Sequence, residues 1–431
     1  AQREGQERSG RSGFQHDVTF SSLVLVHRFW FNGSVPEPKR SVEISEDQLR
    51  SWDLLGEFRT VLEKSTPTER RDRPKGGPTR LLDEVDYFCA FLFAQFNPII
   101  DSMRGLCACS NLERVQQDVC SRPISLGSFS EAQSVFGYER LEEVFEGLVE
   151  ENLRSGAAAT PALGKAPAVL HLVDSSVFRA VPRMCWAQWR HQKTTQRAVR
   201  LHLKFNLFDA QPSEVLVTEG RFCERKALAK LISPGEFYVG DRYYGGAYKL
   251  FATLEESNCG YIIRLCENAN LCVMEELPLD EEDRAAGVVS DQIVRLGARG
   301  GKLHGPVRVV RIEKPELDEP VILITNQLDR ECFSAALIAE IYHQRWAIEL
   351  FFRWFKCVLG RAENWHWLAE SPEGAAIQLY SALIAALLLA RQLGRLPSKR
   401  CMEMLRFHSM GMASQEELEA VIGAEVRKRS R

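Results

Sequence analysis

Residues Ile341 to Leu359 read I-Y-H-Q-R-W-A-I-E-L-F-F-R-W-F-K-C-V-L, without a Gly or Pro. The run is long enough for about five helical turns. At roughly 100° per residue, Tyr342, Arg345, Glu349 and Lys356 share one narrow sector, and Ile341, Ile348, Phe351, Phe352, Phe355 and Leu359 fill the adjoining one. A single helix is therefore expected to carry a packing stripe beside a line of phenol, guanidinium, carboxylate and ammonium. Two readings stand open at this point. The line is either a solvated face with an i,i+4 ion pair between Arg345 and Glu349, or one wall of a cleft, since Phe, Trp and Ile crowd both of its sides.

With 431 residues the chain has room for two or three domains. Its formal charge is -3, so contact with a polyanion must come from local basic patches and not from a global field. The twelve cysteines are scattered, with no CxxC pair and no leader pattern ahead of them. They read as reduced thiols of a cytoplasmic protein. The apolar run Ala375 to Ala390 contains Gln378 and Ser381 and is expected to be a buried core helix, with no membrane span.

Along the chain, residues 1–80 form an extension that is partly disordered, with a helix from Glu46 to Leu62 and a Pro/Gly linker after Ser65. Residues 81–160 read as short helices, one of them opened by a capping box at Ser128-Phe129-Ser130-Glu131. This segment is either a plain helical adaptor or a DNA-binding bundle with Arg104, Arg114 and Arg122 toward phosphates. Residues 165–265 carry a three-strand meander, Ala168–Val173, Val199–Leu207 and Glu214–Thr218. Helix, strand, helix and strand follow, the fourth strand being Phe237–Gly240. That order is the one of a ribonuclease-H-like mixed sheet flanked by helices, an α/β (α+β) fold. Residues 266–333 read as a mostly β insertion, 334–397 return to the core, and 398–431 form a basic tail.

Asp174 follows the apolar strand V-L-H-L-V, and Asp241 follows F-Y-V-G. Either could be a turn residue or a helix N-cap. In a sheet where the first and fourth strands are neighbours, however, the two would meet, and Glu349 could be brought across by its helix. Three converging carboxylates repel unless cations sit among them, and hard oxygen donors suit two Mg2+ (or Mn2+) ions. Arg190, Lys193, Arg197, Arg200 and Lys204 form a second basic feature, either the exposed face of a hairpin or a set of phosphate contacts. His171 and His202 read as satisfied strand histidines.

The spacing Tyr342-x2-Arg345-x3-Glu349-x6-Lys356 resembles the signature of the DDE transposases of the IS4 type. Asp241-Arg242-Tyr243-Tyr244-Gly245 is similar to the context of that family's second acid. Asn111 to Phe136 looks like its N-terminal region and favours DNA binding by residues 81–160. The resemblance spans roughly Tyr87 to Leu393. It implies Asp174, Asp241 and Glu349 as catalytic and metal-holding acids, and Tyr342, Arg345 and Lys356 as ligands of a DNA end. It also implies terminal inverted repeats and target DNA as partners, two copies in the synaptic complex, and a bacterial, nucleoid-associated setting. The alternative is a transposase-derived DNA-binding protein without catalysis. In such relatives a flipped base stacks on an aromatic of the insertion. The insertion here has no Trp, and Trp346 is either a substitute or a core residue.

Overall fold

The computed structural model describes residues 54–65, 82–97, 100, 102–155, 166–167, 169–191, 194–297, 304–356, 366–393, 396–409 and 412–429. The expected N-terminal disorder, most of both linkers, Lys193 and Leu359 lie outside these residues.

Among the described residues six helices come first: α1 (Leu54–Lys64), α2 (Glu84–Phe96), α3 (Met103–Cys109), α4 (Glu113–Asp118), α5 (Leu126–Phe136) and α6 (Glu139–Ser155). α2 is apolar on every side and almost wholly buried, as a helix at the centre of a bundle must be. Asp83 caps it, accepting from the Val85 N–H. The cap of α5 is Ser125, which accepts from the Ser128 N–H. The helix thus opens three residues before the expected capping box, because the Ser125 hydroxyl already satisfies an orphan donor of the first turn. Arg104, Arg114 and Arg122 are all exposed.

The sheet follows. Its strands are β1 (Leu170–Arg179), β2 (Gln188–His191), β3 (Thr194–Asn206) and β4 (Gln211–Glu219). After α7 (Glu224–Leu231) come β5 (Phe237–Gly240), α8 (Arg242–Gly245), α9 (Tyr248–Glu256) and β6 (Gly260–Arg264). β1 runs antiparallel to β3 and parallel to β5, β5 is parallel to β6, and β4 pairs antiparallel with β3. The order β4-β3-β1-β5-β6 is that of a ribonuclease-H-like sheet. The short strand β2, which the sequence did not announce, extends β3 outward.

The insertion is not a separate module. Its strands β7 (Leu271–Glu276), β8 (Val288–Leu296), β9 (His304–Ile312) and β10 (Val321–Thr325), with α10 (Glu281–Ala285) between the first two, continue the same sheet in the order β6-β10-β9-β8-β7. Inside it, Arg308 and Asp291 form a bidentate pair at 2.7 and 2.6 Å with both side chains fully buried.

The chain returns through α11 (Ala335–His343), α12 (Trp346–Trp354) and α13 (Pro372–Leu393), then α14 (Lys399–Ser409) and α15 (Gln415–Arg429). α13 is long and apolar enough to cross a membrane, but 89% of its most apolar stretch is buried inside the structure. It is the core helix the sequence suggested. One apolar cluster joins α1, α2, α5, α6 and α13 to the sheet face carrying Leu170, Leu172, Phe237 and Val239. The N-terminal helices thus share a core with the sheet. The opposite face, with Val173, Tyr238, Tyr261 and Ile263, packs against α7 and α9 in a second cluster.

Candidate active site

Strand register sets the site. The last paired residues of β1 and β5 are Val173 and Gly240, and those of β5 and β6 are Gly240 and Ile263. Asp174, Asp241 and Arg264 therefore occupy the next rung of three adjacent parallel strands, each about 5 Å from its neighbour. Because side chains alternate, all three continue the face of Leu172, Val239 and Ile262. That is the face covered by α12. Phe351 lies 5.5 Å from Phe205 of β3, and Phe355 lies 6.0 Å from Phe178 of β1.

Asp174 does not end its strand as expected, since β1 runs on to Arg179. Its Oδ1 accepts from the Ser175 N–H at 2.7 Å. Asp241 is the N-cap of α8, with Oδ1 accepting from the Tyr243 N–H at 2.9 Å. Among the described residues the second oxygen of each carboxylate has no protein donor. Burial pushes Asp174 up to about 7. The Ser175 N–H opposes that rise, Asp241 adds to it, and Arg345 again opposes it.

The expected single helix from Ile341 is two. Arg345 N bonds Tyr342 O, Ala347 N bonds Gln344 O, and Ile348 N bonds Arg345 O. These are i→i−3 bonds, so the helix tightens into a 3₁₀ turn at Gln344 and Arg345. The i,i+4 relation survives on the far side of the turn. Arg345 Nη2 is 2.5 Å from Glu349 Oε1, and both side chains are mostly buried. The guanidinium also lies 5.7 Å from the centre of the Tyr342 ring. Burial opposes its charge, yet Tyr342, Glu349 and Asp174 together raise its pKa. Arg345 Nε is buried and has no acceptor among the described residues. Burial likewise raises the Tyr342 phenol, and Arg345 works against that rise. Tyr342 thus feels the charge of Asp241 and Arg345 that of Asp174, while Glu349 is held by Arg345. Lys356 lies further along, its Nζ 5.2 Å over the Phe178 ring.

Arg200 and Lys204 are not on an exposed hairpin face. Register pairs them with Val177 and Val173, so they point to the opposite side of the sheet from Asp174, under α7. Arg200 bonds Glu224, Ser175 Oγ at 3.0 Å and Gly220 O at 3.1 Å. Lys204 is 4% exposed and is held by Glu214 at 2.6 Å and Glu236 at 3.0 Å. Alternation correctly separated the polar side of β3 from the apolar one. It could not show that a helix covers the polar side, where partly buried carboxylates meet these cations. His171 meets Ser213 Oγ and Glu236, and His202 meets Thr218 Oγ1. Burial, with Arg200 nearby, pushes His202 down to about 3. Both are buried strand histidines with one ring nitrogen hydrogen-bonded, while His171 Nε2 and His202 Nδ1 find no hydrogen bond among the described residues. The eleven cysteines among the described residues are all free thiols.

Sequence reasoning missed two side chains at the site. Arg264 closes G-Y-I-I-R just as Asp174 and Asp241 follow their apolar runs, and that parallel was the available signal. It shares Glu319 Oε1 with Arg242, at 2.5 and 2.9 Å. Glu224, which opens α7, adds its charge to the field at Asp174. Only the tertiary fold reveals it.

Hard carboxylate oxygens without protein donors on one rung of adjacent strands are suitable ligands for a hard divalent cation. Yet among the described residues no group of three or more His, Cys, Asp or Glu side chains is gathered closely enough to hold a metal ion. Glu349 is engaged by Arg345. The aspartate pair fits such an ion, and a third acid would have to join it.

The sequence model of the family described as Transposase DDE domain matches residues 166–388. The chain belongs to this DDE transposase family. The match covers the strand rung and α12 together. Among relatives of this DDE family member, a Sinorhizobium fredii protein assigned as transposase y4zB is 27% identical over 245 residues, 56% of this chain and 65% of that protein. A Geobacillus stearothermophilus protein assigned as the transposase for insertion sequence element IS5377 is 29% identical over 225 residues, 52% of this chain and 56% of that protein. The matched region thus spans less than two thirds of either relative. The cryo-EM structure of a piggyBac transposase synaptic complex with hairpin DNA aligns at a TM-score of 0.38 and 12% identity, over 89% of this chain and 80% of that one.

Proposed function

We propose that this DDE-family chain is an active transposase of the IS4 type, cutting the ends of a DNA element and joining the freed ends to target DNA. The observation that carries the reading is the rung Asp174–Asp241, with Arg345, the partner of Glu349, close enough to feel the charge of Asp174. The three acids are the proposed catalytic set. Asp174 and Asp241 would hold Mg2+ or Mn2+, with Glu349 completing the set once a DNA phosphate draws Arg345 away. Such an ion, when bound, supplies charge stabilisation at the reacting phosphate and a more acidic attacking water.

The rest falls to side chains. Arg345 takes the phosphate next to the cut, using the Nε that now lacks an acceptor and a geometry suited to two oxygens. Tyr342 adds a hydrogen bond, and Lys356 a point charge further along the strand. Arg104, Arg114 and Arg122, exposed on the helical layer, are candidate backbone contacts. Two copies pairing two ends would make the working complex.

The test is incubation with a labelled element end, Mg2+ and a target plasmid. Wild type should cleave and join. Asp174→Asn and Glu349→Gln should bind the end and do neither. Cleavage at the wild-type rate by either variant removes the assignment. The Arg345–Glu349 pairing favours a second reading, a DNA-binding protein without catalysis. Binding without cleavage by wild type in Mg2+ and in Mn2+ would establish it.

A further inference from the structure

The pairing of β1 with β5 stops at Val173 and Gly240, one residue before each aspartate. The ladder therefore does not set the gap between the two carboxylates. Each has one oxygen tied to a main-chain N–H just beyond it. Asp174 Oδ1 accepts from Ser175, and Asp241 Oδ1 from Tyr243. The residue that supplies each N–H is in turn held from α7. Arg200 Nη1 donates to Ser175 Oγ at 3.0 Å and meets Glu224, with both charged side chains mostly buried. Its Nε is engaged by Gly220 O at 3.1 Å, so the guanidinium is fixed from two sides. Arg225, the next residue of α7, donates to Tyr243 O from Nε at 2.9 Å and from Nη2 at 2.5 Å. A Cβ at Gly246 would sit 3.0 Å from that Nη2, so the fork lies close against the backbone there. α7 is itself firmly seated. Its Ala227, Leu228 and Leu231 are buried, and Leu228 shares a cluster with Val173 and Tyr244.

We propose that the first turn of α7 is a clamp that sets the spacing of Asp174 and Asp241, with Glu224, acting through Arg200, and Arg225 as positioning residues for the cation the pair would hold. The proposal rests on the transposase reading above and adds to it residues that act only through the aspartates. Consecutive residues on one helical turn are rigidly related, so a short stiff element stands in for the missing rungs. Partners behind a ligand fix its orientation, and a pair already held at one separation binds a hard ion without first being ordered. Charge alone gives the opposite sign for Arg225. A guanidinium near the site repels a cation, so its removal would tighten ion binding if charge were all that mattered. The clamp requires that binding loosen.

The probe is Mn2+, titrated into the full chain freed of metal, with the unbound ion followed by electron paramagnetic resonance. Wild type should bind it, and Asp174→Asn should not. Arg225→Met keeps the bulk of the side chain but neither the fork nor the charge. It should weaken binding by roughly 10- to 100-fold, the usual effect of losing a partner of a metal ligand. Glu224→Ala should weaken it as well, and Glu224→Gln, which still offers Arg200 an oxygen, should recover most of that loss. Affinity for a labelled element end in chelator should stay unchanged in all three. The Arg225 bonds lie at the surface, so Arg225→Met should fold and decides the matter if the Glu224 variants do not. Mn2+ binding by Arg225→Met as tight as wild type, or tighter, overturns the clamp and leaves the transposase reading intact. Weaker end binding in chelator overturns it too, since Arg225 would then be a DNA contact. Equal losses in Glu224→Ala and Glu224→Gln would make charge the contribution of Glu224 and remove it from the clamp. A wild type that binds no Mn2+, with or without an element end, removes the metal assignment of the transposase reading, and the clamp with it.

Discussion

Asp174 and Asp241 stand on the same rung of neighbouring parallel strands, one residue past the last paired positions, Val173 and Gly240. Two carboxylates at strand spacing cannot both be cheaply ionised in a partly buried place. The pressure falls on Asp174, whose pKa rises to about 7 through burial first and the charge of Asp241 second.

That shift fixes a pH dependence. Asp174 is raised in the folded state, so its protonated form favours the fold. No penalty exists below about pH 4, and the full penalty exists above about pH 7. In chelator, stability should fall as pH rises across that window, by an amount on the order of a few kcal/mol at about 1.4 kcal/mol per unit. Asp174→Asn should flatten the slope and melt above wild type at pH 8. Adding Mg2+ should recover the lost stability in wild type alone. A wild-type melting profile that is flat from pH 4 to 8 contradicts the burial argument.

Arg345 is paired with Glu349 and feels the charge of Asp174, so its loss has a signature. Arg345→Ala should weaken binding to a cleaved end by about tenfold or more, the cost of losing a charge-assisted phosphate contact. Arg345→Lys should recover only part, lacking the planar fork. Fluorescence anisotropy with labelled ends measures both. A variant that melts lower yet binds ends as wild type does would make the residue a structural ion pair only.

Lys204 belongs to the fold. Lys204→Ala leaves Glu236 and Glu214 without their cation and should cost about 2–4 kcal/mol in urea unfolding, somewhat under the figure for a fully buried pair because both acids are partly exposed. The dependence of DNA affinity on salt should stay the same, because no phosphate contact is lost. A shallower salt slope would return Lys204 to the DNA interface.

Glu236 gives that network its acid limit. Burial alone would raise its pKa, but His171, Tyr238 and Lys204 sit against it and bring it down to about 2. A depressed carboxylate stabilises the fold above its ordinary value of 4.5, and that contribution drains away as pH falls toward 2. Glu236→Gln should therefore lose stability at pH 7 and differ little from wild type near pH 2, measured by thermal melting. An equal loss at both pH values would rule out a charged role.

Asp291 and Arg308 pin the extension of the sheet. Asp291→Ala strands a fully buried guanidinium and should cost about 3–5 kcal/mol. Replacing both residues by leucine and methionine should recover most of it. Urea titrations of the three variants decide, and a mild single-variant effect would mean that water reaches the pair.

Periodicity alone determined a good deal. Alternation placed β3 and its two faces, apolar runs located β5 and β6, and the Tyr342 to Lys356 spacing named the family to which residues 166–388 belong. These are properties of neighbours in the chain, and local sterics and side-chain direction suffice to set them. What lay over each face was not local. Nothing near Arg200 or Lys204 says that α7 will bring Glu224 across one or that Glu236 and Glu214 will hold the other. Nor does anything near Tyr342 show that the helix tightens at Arg345, or that the insertion will carry the sheet onward through β10. Those outcomes depend on buried charges finding partners far along the chain, and on strand registers settled only when all the strands pair. For the same reason Glu224 became visible as a neighbour of Asp174 only once α7 had packed against the sheet.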